Sequence, residues 1–215
     1  MIPFLSPRRF LVATALVAGL GACSLQLPGS GDPARLYLLS PKSTFAPDLP
    51  KVDWQLMVEV PVASAAINTN RIGVQRGGLS FEYFARASWI DTAPLMVQAL
   101  MVESFDNTGK IVSVGRDSIG LRADYLLKLE LREFQAEMTT ESVPTAVRVR
   151  VNAKLVKLPE RQIIASTSAE RRSTASDGSM ENIVLAFDDA LGKVLKQLVE
   201  WTIATPAANT AQIRR

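Results

Sequence analysis

The sequence predicts an α/β fold: a compact single domain in which two principal helices pack on a mixed, mainly antiparallel sheet. Two runs of alternation and one long apolar stripe carry that expectation. Tyr125, Leu127, Leu129 and Leu131 alternate with Leu126, Lys128, Glu130 and Arg132, and Val147, Val149, Val151, Ala153 and Leu155 alternate with Arg148, Arg150, Asn152 and Lys154. A period of two gives each strand one buried and one mostly wet face, as in an antiparallel sheet covered on one side. The polar link Thr139 to Thr145, which contains Pro144, makes the two strands antiparallel neighbours. The stripe is Ile183, Phe187, Leu191, Val194, Leu198 and Trp201, recurring at spacings of 4, 4, 3, 4 and 3. That spacing puts all six on one side of a helix of about 24 residues, the side expected to dock on the sheet.

Taken from the N-terminus, the chain begins with the marks of an exported protein. Arg8 and Arg9 precede an uninterrupted apolar run, Phe10 to Leu20. A membrane-spanning helix needs roughly 20 apolar residues, and the polar, turn-forming stretch from Ser24 onward stops this run short of that. Residues 1–22 therefore read as a signal peptide, cleaved before Cys23. Leu20-Gly21-Ala22-Cys23 resembles a bacterial lipobox, and Cys23 is the only cysteine in the chain. Its thiol can carry a diacylglyceryl group, with a third chain on the freed amine. At about 0.8 kcal/mol per buried methylene, one acyl chain holds marginally whereas two or three hold firmly. Ser24 follows the cysteine where an aspartate would be an inner-membrane retention signal, so the expected location is the outer membrane, facing the periplasm. Residues 23–34, rich in Gly, Pro and small polar side chains, read as a flexible tether.

The folded domain is expected over residues 35–203. Arg35 to Leu39 reads as a short strand and Pro41 to Pro50 as a surface loop. Trp54 to Val60 alternates as a strand. Arg71 to Gln75 and Leu79 to Phe84 flank Gly77-Gly78, a corner that can supply positive φ, and so form a hairpin. Thr92 is placed to cap a helix entered through Pro94 and ended at Asn107-Thr108-Gly109. Ile111 to Val114 and Gln162 to Ala169 complete the strands. Pro206 is expected to end the last helix, leaving 204–215 as a disordered tail.

Composition closes off most chemistry. The formal charge of +3 falls to +1 once Arg8 and Arg9 are removed, and the densest basic cluster, Arg171-Arg172 with Arg161 nearby, is small. Nucleic acid is not an expected partner. The chain has no histidine, which removes Ser-His-Asp and Cys-His constellations, most zinc sites and the usual base near neutral pH. Asp188 and Asp189 diverge on their helix and read as solvated surface. Gly77-Gly78 lacks the lysine and hydroxyl residue of a phosphate-binding loop. A serine–lysine pair is left open, with no local motif to support one; no catalytic residue, metal site or cofactor is expected.

Several blocks carry a family resemblance. They are Asn70 to Gln75, Leu79 to Phe84, Ala87 to Asp91 with Ala93 to Leu95, Asp124 to Leu127, Glu130 to Glu137, and Ala186 to Gly192. In this order they resemble the ABC-type transport auxiliary lipoproteins, which accompany mammalian-cell-entry-type ABC transporters. The pair Tyr83-Phe84 departs from two tyrosines, and Gly73 stands where alanine is usual. The resemblance implies a non-enzymatic subunit that helps move phospholipid or another hydrophobic substrate, with the permease and the mammalian-cell-entry substrate-binding protein as partners on separate chains. A homo-oligomer is left open. Arg71 and Trp89 match family positions and are the candidate partner-binding residues; the local alternative is pairing at a strand end for Arg71 and packing at the helix entry for Trp89. A second reading is a carrier holding an acyl chain in an apolar cavity, which an enclosed pocket would favour and a filled core would not.

Overall fold

A computed structural model describes residues 33–116, 122–138 and 146–213, with side chains through Pro206. Every element below belongs to one compact unit, Ala34–Arg215. The order is β1 (Arg35–Tyr37), β2 (Gln55–Val58), β3 (Val62–Ala63), β4 (Arg71–Arg76), β5 (Ser80–Trp89), α1 (Ala93–Asp106), β6 (Ser113–Arg116), β7 (Tyr125–Met138), β8 (Ala146–Lys157), β9 (Gln162–Thr174) and α2 (Met180–Ile213). The expected α/β architecture is present: among the described residues there are two helices and one mixed, open sheet.

The central strand is β7. Its one edge is matched along its length by antiparallel β8, which in turn carries antiparallel β9. Its other edge takes three short strands end to end, β2 at Leu126, β3 at Glu130 and β4 at Ala136, all parallel to it. Beyond β2 lies β6, and beyond β4 lie β5 and then β1. Antiparallel pairing thus supplies the long ladders and parallel pairing the short junctions.

Each element follows from its side chains. Leu127, Leu129 and Leu131 of β7 and Val147, Val149, Val151, Ala153 and Leu155 of β8 are buried, while Lys128, Arg132 and Lys154 point to the wet face. α2 covers this apolar face along β8 and β9, and α1 packs against β2, β6 and α2. The whole stripe is buried except Trp201, which is half-buried. Gly77 and Gly78, at φ +56° and +80°, turn the β4–β5 hairpin, a backbone region that side chains with a Cβ rarely adopt.

Several boundaries differ from expectation. A register shift between Leu131 and Glu133 moves the inward set of β7 from odd to even positions, so that Phe134 and Ala136 are buried. The strand runs to Met138 although its alternation breaks. β5 continues to Trp89, which ends a strand instead of marking the helix entry. β6 begins at Ser113, two residues later than Ile111. Thr92 has the extended backbone of a cap residue but makes no side-chain cap hydrogen bond; its own N–H donates to Asp91 Oδ1 at 2.7 Å. Residues 41–50 are pinned between the helices: the Lys42 N–H donates to Ser104 Oγ at 2.9 Å and the Ala46 N–H to Glu200 Oε1 at 2.7 Å. Pro206 lies inside α2, not at its end, and the helix extends to Ile213. Proline's fixed φ is helical, so packing of Thr202, Ile203 and Pro206 can carry the helix past the N–H that proline withholds.

Candidate interaction surfaces

Cys23 lies outside the described residues. Arg71 and Trp89 are placed on paired strands, Arg71 opposite Ser88 and Trp89 next to it, and the Trp89 N–H donates to the Asn70 carbonyl at 2.7 Å. Their side chains part there. Trp89 is 1% exposed and packs edge-on against Phe187, with centroids 5.1 Å apart, and at 5.7 Å from Phe134. In this conformation it offers a partner no surface; its ring packs the interior beneath α2. Arg71 is exposed, with its guanidinium 3.8 Å from the centroid of the Tyr83 ring. The Tyr83 hydroxyl donates to the Ala66 carbonyl at 3.1 Å, so the ring on which the cation stacks is held.

The space between α2 and the sheet, where a carrier would hold an acyl chain, is occupied by side chains. Trp89, Phe134 and Phe187 form a three-ring cluster, and Leu127, Leu155, Leu191 and Leu195 complete the packing.

The opposite face of the sheet is polar. Arg148 Nε donates to Glu170 Oε1 at 2.8 Å and also lies 2.8 Å from Glu133 Oε2, close enough for charge pairing but not aligned for a hydrogen bond. Its Nη1 reaches Glu137, which also pairs with Arg172. The Glu170 hydrogen bond and then the surrounding carboxylates, working against partial burial, raise the Arg148 pKa above its ordinary value. This cross-strand network ties β7, β8 and β9 together on the side without helices. Nearby, Lys128, Arg132, Asn152, Lys154 and Ser168 line an open trough of about 610 Å³. Alternation shows that these positions are wet, but not which charges meet, because pairing depends on strand register.

A second concave feature is apolar. Leu38, Ile90 and Leu95, all exposed, border a groove of about 440 Å³ above Leu39, Met96 and Leu100. Asp91, Glu103 and Arg116 also line it. Among the described residues there is no group of three or more His, Cys, Asp or Glu side chains able to hold a metal, and no helix long and apolar enough to cross a membrane.

Comparison with known proteins fits this geometry. Residues 37–199 match the family model described as ABC-type transport auxiliary lipoprotein component. An uncharacterized protein of Bradyrhizobium diazoefficiens is 27% identical over 197 residues, covering 88% of this chain and 51% of its own length, so the chain spans about half of that curated relative. The crystal structure of a Xanthomonas campestris protein, 29% identical, superposes with a TM-score of 0.78 over 83% of this chain and 99% of its own. A second crystal structure, of an uncharacterized protein at 14% identity, shares the fold with a TM-score of 0.57 over 83% of this chain and 99% of its own.

Proposed function

The chain belongs to the ABC-type transport auxiliary lipoprotein component family, and on that premise we propose that it is a lipid-anchored adaptor of a mammalian-cell-entry-type ABC transporter. It faces the periplasm, held by acyl chains on Cys23, in the outer membrane as Ser24 suggests. There it docks on the substrate-binding subunit and permease, assists movement of phospholipid or another hydrophobic substrate between membranes, and supports envelope integrity. It turns over nothing itself. The observation that carries the adaptor reading is the filled core: three packed rings and the leucines around them occupy the space a carrier would leave for a lipid tail. The exposed cation at Arg71, stacked on Tyr83, is the proposed docking contact.

Affinity purification from crosslinked membranes, with the anchor intact, tests the reading. The expected co-purifying chains are the mammalian-cell-entry subunit and the permease. Stoichiometric phospholipid recovered with the delipidated domain would replace the adaptor by the carrier. Deletion of this gene together with the permease gene should be no worse than either alone; an additive defect would remove the protein from this pathway.

A further inference from the structure

We infer that the apolar groove where β1, β5 and α1 meet is a second membrane contact, the face by which the domain lies on the bilayer that holds its N-terminal segment. Single exposed apolar side chains are ordinary on a soluble surface, but a contiguous group is not. Leu38, Ile90 and Leu95, which line one groove, are 65%, 57% and 40% exposed. The Ile90 N–H donates to the Tyr37 carbonyl at 3.0 Å, which sets Leu38 and Ile90 on adjoining chains, and Leu95 joins them from the first turn of α1. The floor of Leu39, Met96 and Leu100 is buried and fixed, so the surface is formed before anything binds. The lining carries both signs, Asp91 and Glu103 against Arg116, which suits a zwitterionic headgroup layer better than a strongly anionic one.

The path of the chain selects the bilayer as occupant. Leu38 stands four positions after Ala34, where the folded unit begins, and Ala34 stands eleven positions after Cys23. Eleven extended residues reach at most about 40 Å. A bilayer gripping the Cys23 lipid is thereby held at high effective concentration near the domain, within reach of this patch at the far end of β1 from Ala34. Weak intrinsic affinity then suffices for docking. The inference rests on the Cys23 anchor proposed above.

Single-site labelling tests it on the full lipoprotein. Once the Cys23 thiol carries lipid, a cysteine introduced as Leu38→Cys or Ile90→Cys is the one free thiol. Leu79→Cys, at the tip of the β4–β5 hairpin and 99% exposed, is the control. Each variant is labelled with an environment-sensitive fluorophore and reconstituted in phosphatidylethanolamine–phosphatidylglycerol vesicles containing a doxyl-labelled phospholipid. The expected result is several-fold stronger quenching at positions 38 and 90 than at 79, unchanged by molar salt because the contact is apolar. Equal quenching at all three sites, or none, overturns the inference. So does protection of the Leu38 label only when transporter subunits are added, which would assign the groove to a protein segment. Intact mass reports the anchor separately: a lipidated chain without quenching overturns the patch and leaves the anchor, whereas a chain without lipid removes the anchor and the tether argument with it.

Discussion

Asp188 and Asp189, adjacent on α2, hold different partners. Asp189 Oδ2 accepts from Lys193 Nζ at 2.6 Å and from Ser173 Oγ at 2.7 Å, and the Lys193 hydrogen bond foremost holds its carboxyl below the usual range. Asp188 Oδ1 accepts the Ser40 N–H at 2.6 Å and so ties the segment after β1 to the last helix. The sequence reading of both as solvated surface is therefore incomplete, because a contact across 148 residues leaves no local pattern. Asp188→Ala is expected to cost about 1 kcal/mol in urea denaturation; an unshifted midpoint would mean that water replaces the carboxylate. Gly73 shows a second constraint of this size. A Cβ built there would come within 2.6 Å of the Phe81 ring, whose far end would have to move. Gly73→Ala should destabilise by about 1 kcal/mol in the native background and by much less when combined with Phe81→Ala. Additive costs would place the strain elsewhere.

At the scale of the element, α2 and the β7–β8 ladder were the most legible parts of the chain. A stripe at helical spacing and two alternating strands each report a face, and burial follows the face. Phe187→Ala should cost about 3–5 kcal/mol and Leu191→Ala about 2–5 kcal/mol, since both side chains are fully buried against the sheet. Effects as small as that of Asp188→Ala would mean that the stripe does not dock there. What escaped the sequence was of two kinds. The shift at Leu131 and Glu133 inverts the alternation within one strand, which makes β7 look as if it ends near Arg132. The parallel junctions of β2, β3 and β4 span only a few residues each and join segments far apart in the chain, so no local pattern announces them.

For the whole molecule, the family was legible because its blocks sit on the strands and helices that build the core, and Trp89 illustrates the cost of reading function from such blocks. Its side chain packs the interior, while the exposed member of the pair is Arg71. The groove at Leu38, Ile90 and Leu95 had no signature at all, since its three members come from separate elements. The anchor gives the prediction at this scale. Cys23→Ser should leave the thermal melting of the domain unchanged and move it from the pellet to the supernatant of washed membranes, because a patch without its tether loses the effective concentration that seats it. A variant that stays in the pellet would overturn the lipoprotein reading.

The position of β7 also bears on how the molecule comes into being. Among the described residues it alone joins two separate groups of strands, β2 with β6 and β4 with β5 and β1. A chain emerging N-terminus first has synthesised both groups before residue 125, yet has no template on which to align them. Their assembly waits for a strand that closes loops of tens of residues at once, and such non-local pairing is slow. The hairpins β7–β8 and β8–β9, being local, are expected to form first and to template the earlier half. The N-terminal half is therefore expected to stay unassembled until β7 is available to pair with it.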